Sequence, residues 1–424
     1  MHVLSIVKNN RINFLFLLTL NALIYANYKL FISTFMVFIF LTIKNNVKFN
    51  NYETFLLRLI PLNYYFNAIY STFEKDPFSS FFWDMQNFLH YLRCNTSSFV
   101  HNYRFVNENI TCPASIGYGP LVEYIQFTFD DIWKITLILG ITFFVIASIL
   151  LFFSKKNLLL VVSIFISPGF HFLIFSLNTD VFVLLYICIL LKYNKWDFKN
   201  FNFIVLTLLT LIKTYTVMLF FGYVIKFIIE KKYKHALLTS SYLFLNIVII
   251  IYHYYFQNSM LPSPLSFTRS FGLLHDIKIL NDNIGFNEVS YLVIFLLISA
   301  TLLRKKIDLQ KLEIKIHKDL VAERVIIFFP LCFLINIYSN WGYKFLFNSL
   351  LIFILYESTN QLLKILLIFT NLVATTYYLI GWGFTENLIN VFIISTSKVF
   401  YYSYFIFSGY AFIIAIYKKL EKSN

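Results

Sequence analysis

Apolar residues fill the chain in runs about as long as a membrane helix, which needs ~20 of them, and short basic clusters punctuate the runs. The first run, Ile12 to Ile43, is too long for one upright helix. It is softened at Asn27, Tyr28 and Lys29, which predicts two short spans joined by a tight outer turn. Tyr52 to Tyr70 predicts a third span, and a long interruption follows. Further spans are expected at Ile135 to Phe153, Leu158 to Phe175 and Val181 to Leu191. Phe201 to Ile229 repeats the length problem, with Lys213 near its middle. One helix would hold that ammonium at depth, at a cost of ~2.5–3.5 kcal/mol on insertion scales. Two short segments meeting near Lys213, Thr214 and Tyr215 are expected instead. Runs at Ala236 to Tyr255, Val289 to Leu303, Val325 to Tyr338, Tyr343 to Tyr356, Leu362 to Ile380 and Val399 to Ile416 complete the pattern.

Clusters at Lys155-Lys156, Lys192 to Lys199, Lys226 to Lys234, Arg304 to Lys318 and Lys418 to Lys422 hold a large share of the 35 basic residues. Loops facing the cytoplasm concentrate lysine and arginine, which places these turns inside and gives about 14 crossings with both termini cytoplasmic. The expected fold is an all-α polytopic membrane protein with several short or broken transmembrane helices. Residues 1–70 form N-terminal transmembrane helices, and 71–133 form a large first outward loop. Residues 134–424 form the remaining transmembrane domain, with a second outward loop at 257–288. The first loop exceeds an ordinary connection. Its Phe81-Phe82-Trp83 and Phe88-Leu89 suit short helices lying at the membrane interface, where aromatic rings are favoured.

Composition sharpens the class. Hydrophobic residues make up 59% and charged residues 13%, about half the ~25% charged of a soluble chain. A soluble domain with a single anchor is excluded, as is a fibrous or disordered chain. The net charge of +14 is dispersed between apolar runs. It lacks the aromatic interleaving and folded module of a nucleic-acid reader, so no nucleic-acid partner is expected. Cys188 and Cys332 sit in apolar runs and read as small buried hydrophobes. Cys94 and Cys112 share the first loop, and a disulfide between them is expected if that loop faces an oxidising compartment. No metal-ligand spacing involves the cysteines and no cofactor is expected; a metal requirement stays open.

Polar groups outside the basic turns are few. Asp84, in Phe81-Phe82-Trp83-Asp84-Met85-Gln86, is either a partly desolvated general base or a helix cap. Tyr118 lies in the turn Gly117-Tyr118-Gly119-Pro120, which is either structural or close to a ligand. Asn178 and Asp180 open the short Val181 run, where Asp180 caps a helix, orients substrate hydroxyls or pairs with a lysine. Lys213 either meets a lipid phosphate, marks the outer turn or forms a structural pair with Asp180. Trp341 and Tyr343 flank a turn and suit a sugar face or the interface, with Lys344 as a second phosphate-binding cation. Arg269, in the second outward loop, is a looser candidate for the same role.

In order and topology these features resemble a GT-C-type integral membrane glycosyltransferase, in particular the bacterial polyprenyl-phosphate-mannose-dependent transferases. Asp84 matches that family's aspartate in the first large outward loop, and Tyr118-Gly119-Pro120 approximates its Tyr-Pro-Pro turn. Asn178-Thr179-Asp180 resembles its Asn-Pro-Asp segment with threonine in the middle. Leu211-Ile212-Lys213-Thr214-Tyr215 and Trp341-Gly342-Tyr343-Lys344 resemble its embedded lysine turn and later aromatic-basic turn. The resemblance covers about residues 55–355. It implies transfer of a hexose, such as mannose, from a polyprenyl-phosphate donor to a glycan, lipid or protein acceptor at the outer face of a bacterial inner membrane. Asp84 would be the base, Lys213, Lys344 and Arg269 the phosphate-binding cations, and Tyr118, Asn178, Asp180, Trp341 and Tyr343 the positioning residues. The class weighed against it is a transporter or flippase of a lipid-linked or small polar substrate, since broken helices also mark transporter binding sites.

Overall fold

The computed structural model describes residues 28–44, 48–75, 132–153, 158–167, 200–256, 319–337, 346–356, 361–373 and 388–423. It also describes 270–271, 340–341, 177–181 and scattered single positions in the remaining segments. Along the chain the helices are α1 (Tyr28–Lys44), α2 (Asn51–Lys75), α3 (Ile132–Phe153), α4 (Leu158–Phe165), α5 (Asn200–Ile212), α6 (Val217–Ile229) and α7 (Tyr233–Phe256). Then come the strand β1 (Ser270–Phe271), α8 (Asp319–Ile337), β2 (Asn340–Trp341), α9 (Leu346–Tyr356), α10 (Gln361–Val373) and α11 (Leu388–Ser423). The described residues are largely helical, and among them a two-residue antiparallel bridge pairs Ser270 with Trp341 and Phe271 with Asn340. Among the described residues, Tyr233–His253, Leu320–Ile337 and Val399–Glu421 are long and apolar enough to cross a membrane. Several other helices are apolar but shorter, α5 and α6 among them.

The chain divides into two compact units. Unit 1 comprises residues 1–84, 133–178 and 360–402; unit 2 comprises 85–132, 179–359 and 403–424. In unit 1, α10 packs on α1 and α4, and α4 also packs on α2. A reciprocal cap starts α2: the Glu53 amide donates to Asn50 Oδ1 at 2.8 Å, and the Asn50 amide donates to Glu53 Oε2 at 2.9 Å. This satisfies helix-end donors that apolar surroundings would leave bare. Farther along α2, the Asn63 amide reaches the Thr19 carbonyl at 3.1 Å.

In unit 2, α6 packs antiparallel against both α7 and α8. Gly222 permits the close approach to α8, because a methyl group there would collide with the Ile327 carbonyl. The end of α11 runs antiparallel to α8, with Phe405 stacked on Phe333 and Phe412 on Phe329 at 4.3 Å between ring centres. Tyr242 of α7 stacks on both Phe203 of α5 and Phe220 of α6.

Several expected boundaries shift. The run from Leu158 to Phe175 does not form one helix: α4 ends at Phe165 and a turn follows at Ile166 and Ser167. Pro168 disfavours helical backbone at the residue before it, which accounts for the stop. The last helix is twice as long as its apolar core, because no proline interrupts it and its lysine-rich tail forms helix readily. Helix α2 likewise continues to Lys75, into the segment expected to be loop. The run from Val289 to Leu303 lies outside the described residues.

Candidate functional site

The break expected in the run Phe201 to Ile229 is present and has a definite construction. Lys213 leaves the helix with extended backbone angles, φ −134° and ψ 97°, and Thr214–Thr216 form a single 3₁₀ turn before α6 begins. Threonine hydroxyls close this corner. Thr216 sends both its amide and its hydroxyl to the Lys213 carbonyl, at 3.1 and 3.0 Å. Its hydroxyl also lies 2.9 Å from that of Thr210, which donates to the Leu206 carbonyl. Short hydroxylated side chains compete with the helix ladder for backbone partners in this way. The chain then folds back: the rings of Phe203 and Phe220 lie 5.9 Å apart, although a straight helix would separate them by about 25 Å. Helices α5 and α6 are therefore the arms of a hairpin with Lys213 at its apex.

Asp180 meets that apex. Its Oδ1 lies 3.2 Å from the Lys213 ammonium and accepts the Tyr215 hydroxyl at 2.8 Å. The Lys213 and Asp180 side chains are 8% and 0% exposed, so the pair is desolvated and its attraction is only weakly screened. The Tyr215 ring packs edge-on against Phe347, 5.6 Å between centres. Thr179 precedes Asp180, and its buried hydroxyl has no hydrogen-bond partner among the described residues.

The same end of unit 2 carries two further fixtures. Asn336 of α8 and Asn348 of α9 exchange side-chain amide hydrogen bonds at 2.8 and 2.9 Å, and the Tyr404 hydroxyl donates to the Asn348 carbonyl. Both asparagines are fully buried, and such polar pairs join helices where no water can satisfy them. The β1–β2 bridge ties Ser270 and Phe271 to the chain just after α8. Among the expected site residues, the structure thus brings Asp180 and Lys213 together and sets the Trp341 backbone in β2 at the same end. Asn178 is buried in unit 1, one residue before unit 2 begins. Asp84, Tyr118, Arg269, Tyr343, Lys344, Cys94 and Cys112 lie outside the described residues; Met85, next to Asp84, is buried. Cys332 is buried as expected and directs its thiol toward the Phe347 carbonyl.

At the opposite end of unit 2, charges gather. Lys226 of α6 pairs with Glu323 of α8 at 3.0 Å, and Lys419 of α11 reaches Glu323 and Glu230 at 2.6 and 3.6 Å. The clusters beginning at Lys226 and Lys418, expected on one side of a membrane, thereby contribute residues to a single network with Glu323 of α8; the Arg304 to Lys318 cluster lies outside the described residues. Lys213 and Glu230 are separated by 17 residues, about 25 Å along a helix, which is close to the ~30 Å of a hydrocarbon core.

The Tyr215–Asp180 hydrogen bond and the Asn336–Asn348 pair were not expected from the sequence. The signal was present in each case: a tyrosine two residues after the embedded lysine, and an asparagine in each of two neighbouring apolar runs. Comparison with protein-family models, with curated proteins and with solved structures gives no match.

Proposed function

We propose that the chain is a membrane-embedded glycosyltransferase of the GT-C type, acting on a polyprenyl-phosphate sugar at the outer face of a bacterial inner membrane, with both termini cytoplasmic. The observation that carries this reading is the Lys213–Asp180–Tyr215 cluster, buried at the apex of a broken helix. Intramembrane charges are costly and as a rule serve a substrate or ion. A lipid phosphate is a fitting substrate: its tail suits an apolar groove, and its charge suits an ammonium already held in place.

In the proposed reaction the acceptor hydroxyl oxygen attacks the anomeric carbon while Asp84 takes its proton. The bond between that carbon and the phosphate oxygen breaks, and polyprenyl phosphate leaves carrying the electron pair. Lys213, with Lys344 and Arg269, stabilises the phosphate charge. A single displacement inverts the anomeric configuration. Tyr118, Asn178, Asp180, Trp341 and Tyr343 hold the reactants, and the Thr179 hydroxyl is a further group able to bond a sugar.

The test is sugar transfer from a defined polyprenyl-phosphate sugar by the reconstituted chain and its folded Asp84→Asn variant. Wild type transfers and the variant does not; equal transfer by both removes Asp84 as the base. A transporter is the second reading, favoured by the helix break beside a buried ion pair, a construction that transporters also use. Movement of substrate into sealed vesicles without formation of a glycosylated product would establish it instead.

A further inference from the structure

The α6–α7 turn, at the end of unit 2 opposite Lys213, has a backbone that glycine would suit better. The Lys231 amide donates to the Ile228 carbonyl and the Lys232 amide to the Phe227 carbonyl, at 3.0 and 2.9 Å. This is the paired closure that ends a helix with one left-handed residue, usually glycine. Here that residue is Lys231, with φ 57°. The chain accepts steric strain at this position and presents a lysine there. Lys231, Lys232, Lys234 and His235 are all exposed.

The neighbouring carboxylates are already engaged. Glu230 lies near Lys226, Lys232 and Lys419, and Glu323 lies near Lys226 and Lys419. This network fixes the ends of α6, α8 and α11, and its members among the described residues are three lysines and two glutamates. Glu421 is the exposed acid on the end of α11, beside Lys418 and Lys419. The His235 ring packs on Phe227, 5.5 Å between centres, which fixes the start of α7 against the end of α6.

Beside this basic rim the surface is apolar. Tyr233 and Tyr417 are 66% and 70% exposed, and α7, one of the candidate membrane spans, continues outward-facing through Leu237, Phe244 and Ile251. Exposed tyrosines between lysines and an apolar helix face match the headgroup level of a bilayer. Lysines at that level attract anionic lipids. We propose that the α6–α7 turn and the adjoining end of α11 form a binding site for the headgroup of an anionic phospholipid, whose acyl chains lie along α7. Lys231 and Lys234 contact the phosphate, and Lys232 adds its charge beside them while paired with Glu230 at 2.9 Å. The site is separate from the sugar-transfer reading and stands or falls without it.

The glycine variant separates a lysine kept for the lipid from one kept for the fold. Binding of phosphatidylglycerol to the purified full chain in neutral detergent is measured by native mass spectrometry, with phosphatidylcholine and inorganic phosphate as comparisons. Wild type binds phosphatidylglycerol in preference to both. Lys231→Gly, which relieves the backbone strain, melts at the same or a higher temperature yet binds phosphatidylglycerol about fivefold more weakly, the share of one lysine near an anionic surface. Adding Lys232→Gln and Lys234→Gln brings the loss to the order of a hundredfold, and arginine at all three positions restores binding. Unchanged phosphatidylglycerol binding in the glycine or triple variant overturns the proposal, as does full displacement of the lipid by inorganic phosphate.

Discussion

Removing the charge of Lys213 alone perturbs more than a binding site. With Asp180 fully buried beside it, Lys213→Met leaves a carboxylate without its countercharge in an apolar interior, where the Tyr215 hydroxyl still donates to it. Breaking one side of a buried pair costs ~3–5 kcal/mol, and the hydroxyl keeps the loss toward the lower figure. Asp180→Asn removes the countercharge of the ammonium and costs a similar amount. The double variant has neither charge, and the asparagine amide can still accept from Tyr215. It should therefore be more stable than the sum of the single losses predicts, by a coupling energy of ~2–3 kcal/mol. The assay is reversible unfolding of the full chain in mixed micelles, followed by tryptophan fluorescence, for wild type, both single variants and the double variant. Strictly additive losses would refute the pair as a desolvated unit. The cycle also bears on the proposed function: a loss of donor use in Lys213→Met is interpretable only beside the double variant, which lacks the proposed phosphate-binding charge without leaving a buried acid uncompensated.

Gly222→Ala should drive α6 away from the Ile327 carbonyl and cost ~1–3 kcal/mol in the same unfolding assay. Asn336→Leu leaves the Asn348 amide unsatisfied and should cost ~1–2 kcal/mol, while replacing both asparagines with leucine should recover part of the loss. Lys419→Met should cost less than ~1 kcal/mol, because Lys226 still neutralises Glu323 at a partly exposed position. Limited proteolysis should then report faster cleavage near the end of α11.

The hairpin apex was legible because a lysine inside a 29-residue apolar run admits few solutions. The gathering of Lys226, Glu323 and Lys419 was legible only as a shared side, since charge clustering orders turns along one axis and does not choose partners within a plane. The stop at Ser167 had a visible signal in Pro168, which hydrophobic length concealed. The β1–β2 bridge had none: two residues on each side, about 70 positions apart, carry no periodicity. Nor did the closure at Lys231, because the position where sequence alone looks for glycine holds a lysine. Asp180 as the partner of Lys213 was one of several open roles, and only the fold chose it.

The proposed sugar transfer requires Asp84 and Lys213 to be reached from the same face of the membrane. It is tested most directly by single cysteines introduced as Asp84→Cys and Thr214→Cys, separately and together, in a chain whose four native cysteines are replaced by serine. A membrane-impermeant maleimide should label both from the outer side of sealed, oriented vesicles, and a short bifunctional reagent should join the two in the double variant. Labelling from opposite sides, with no cross-link, would contradict it.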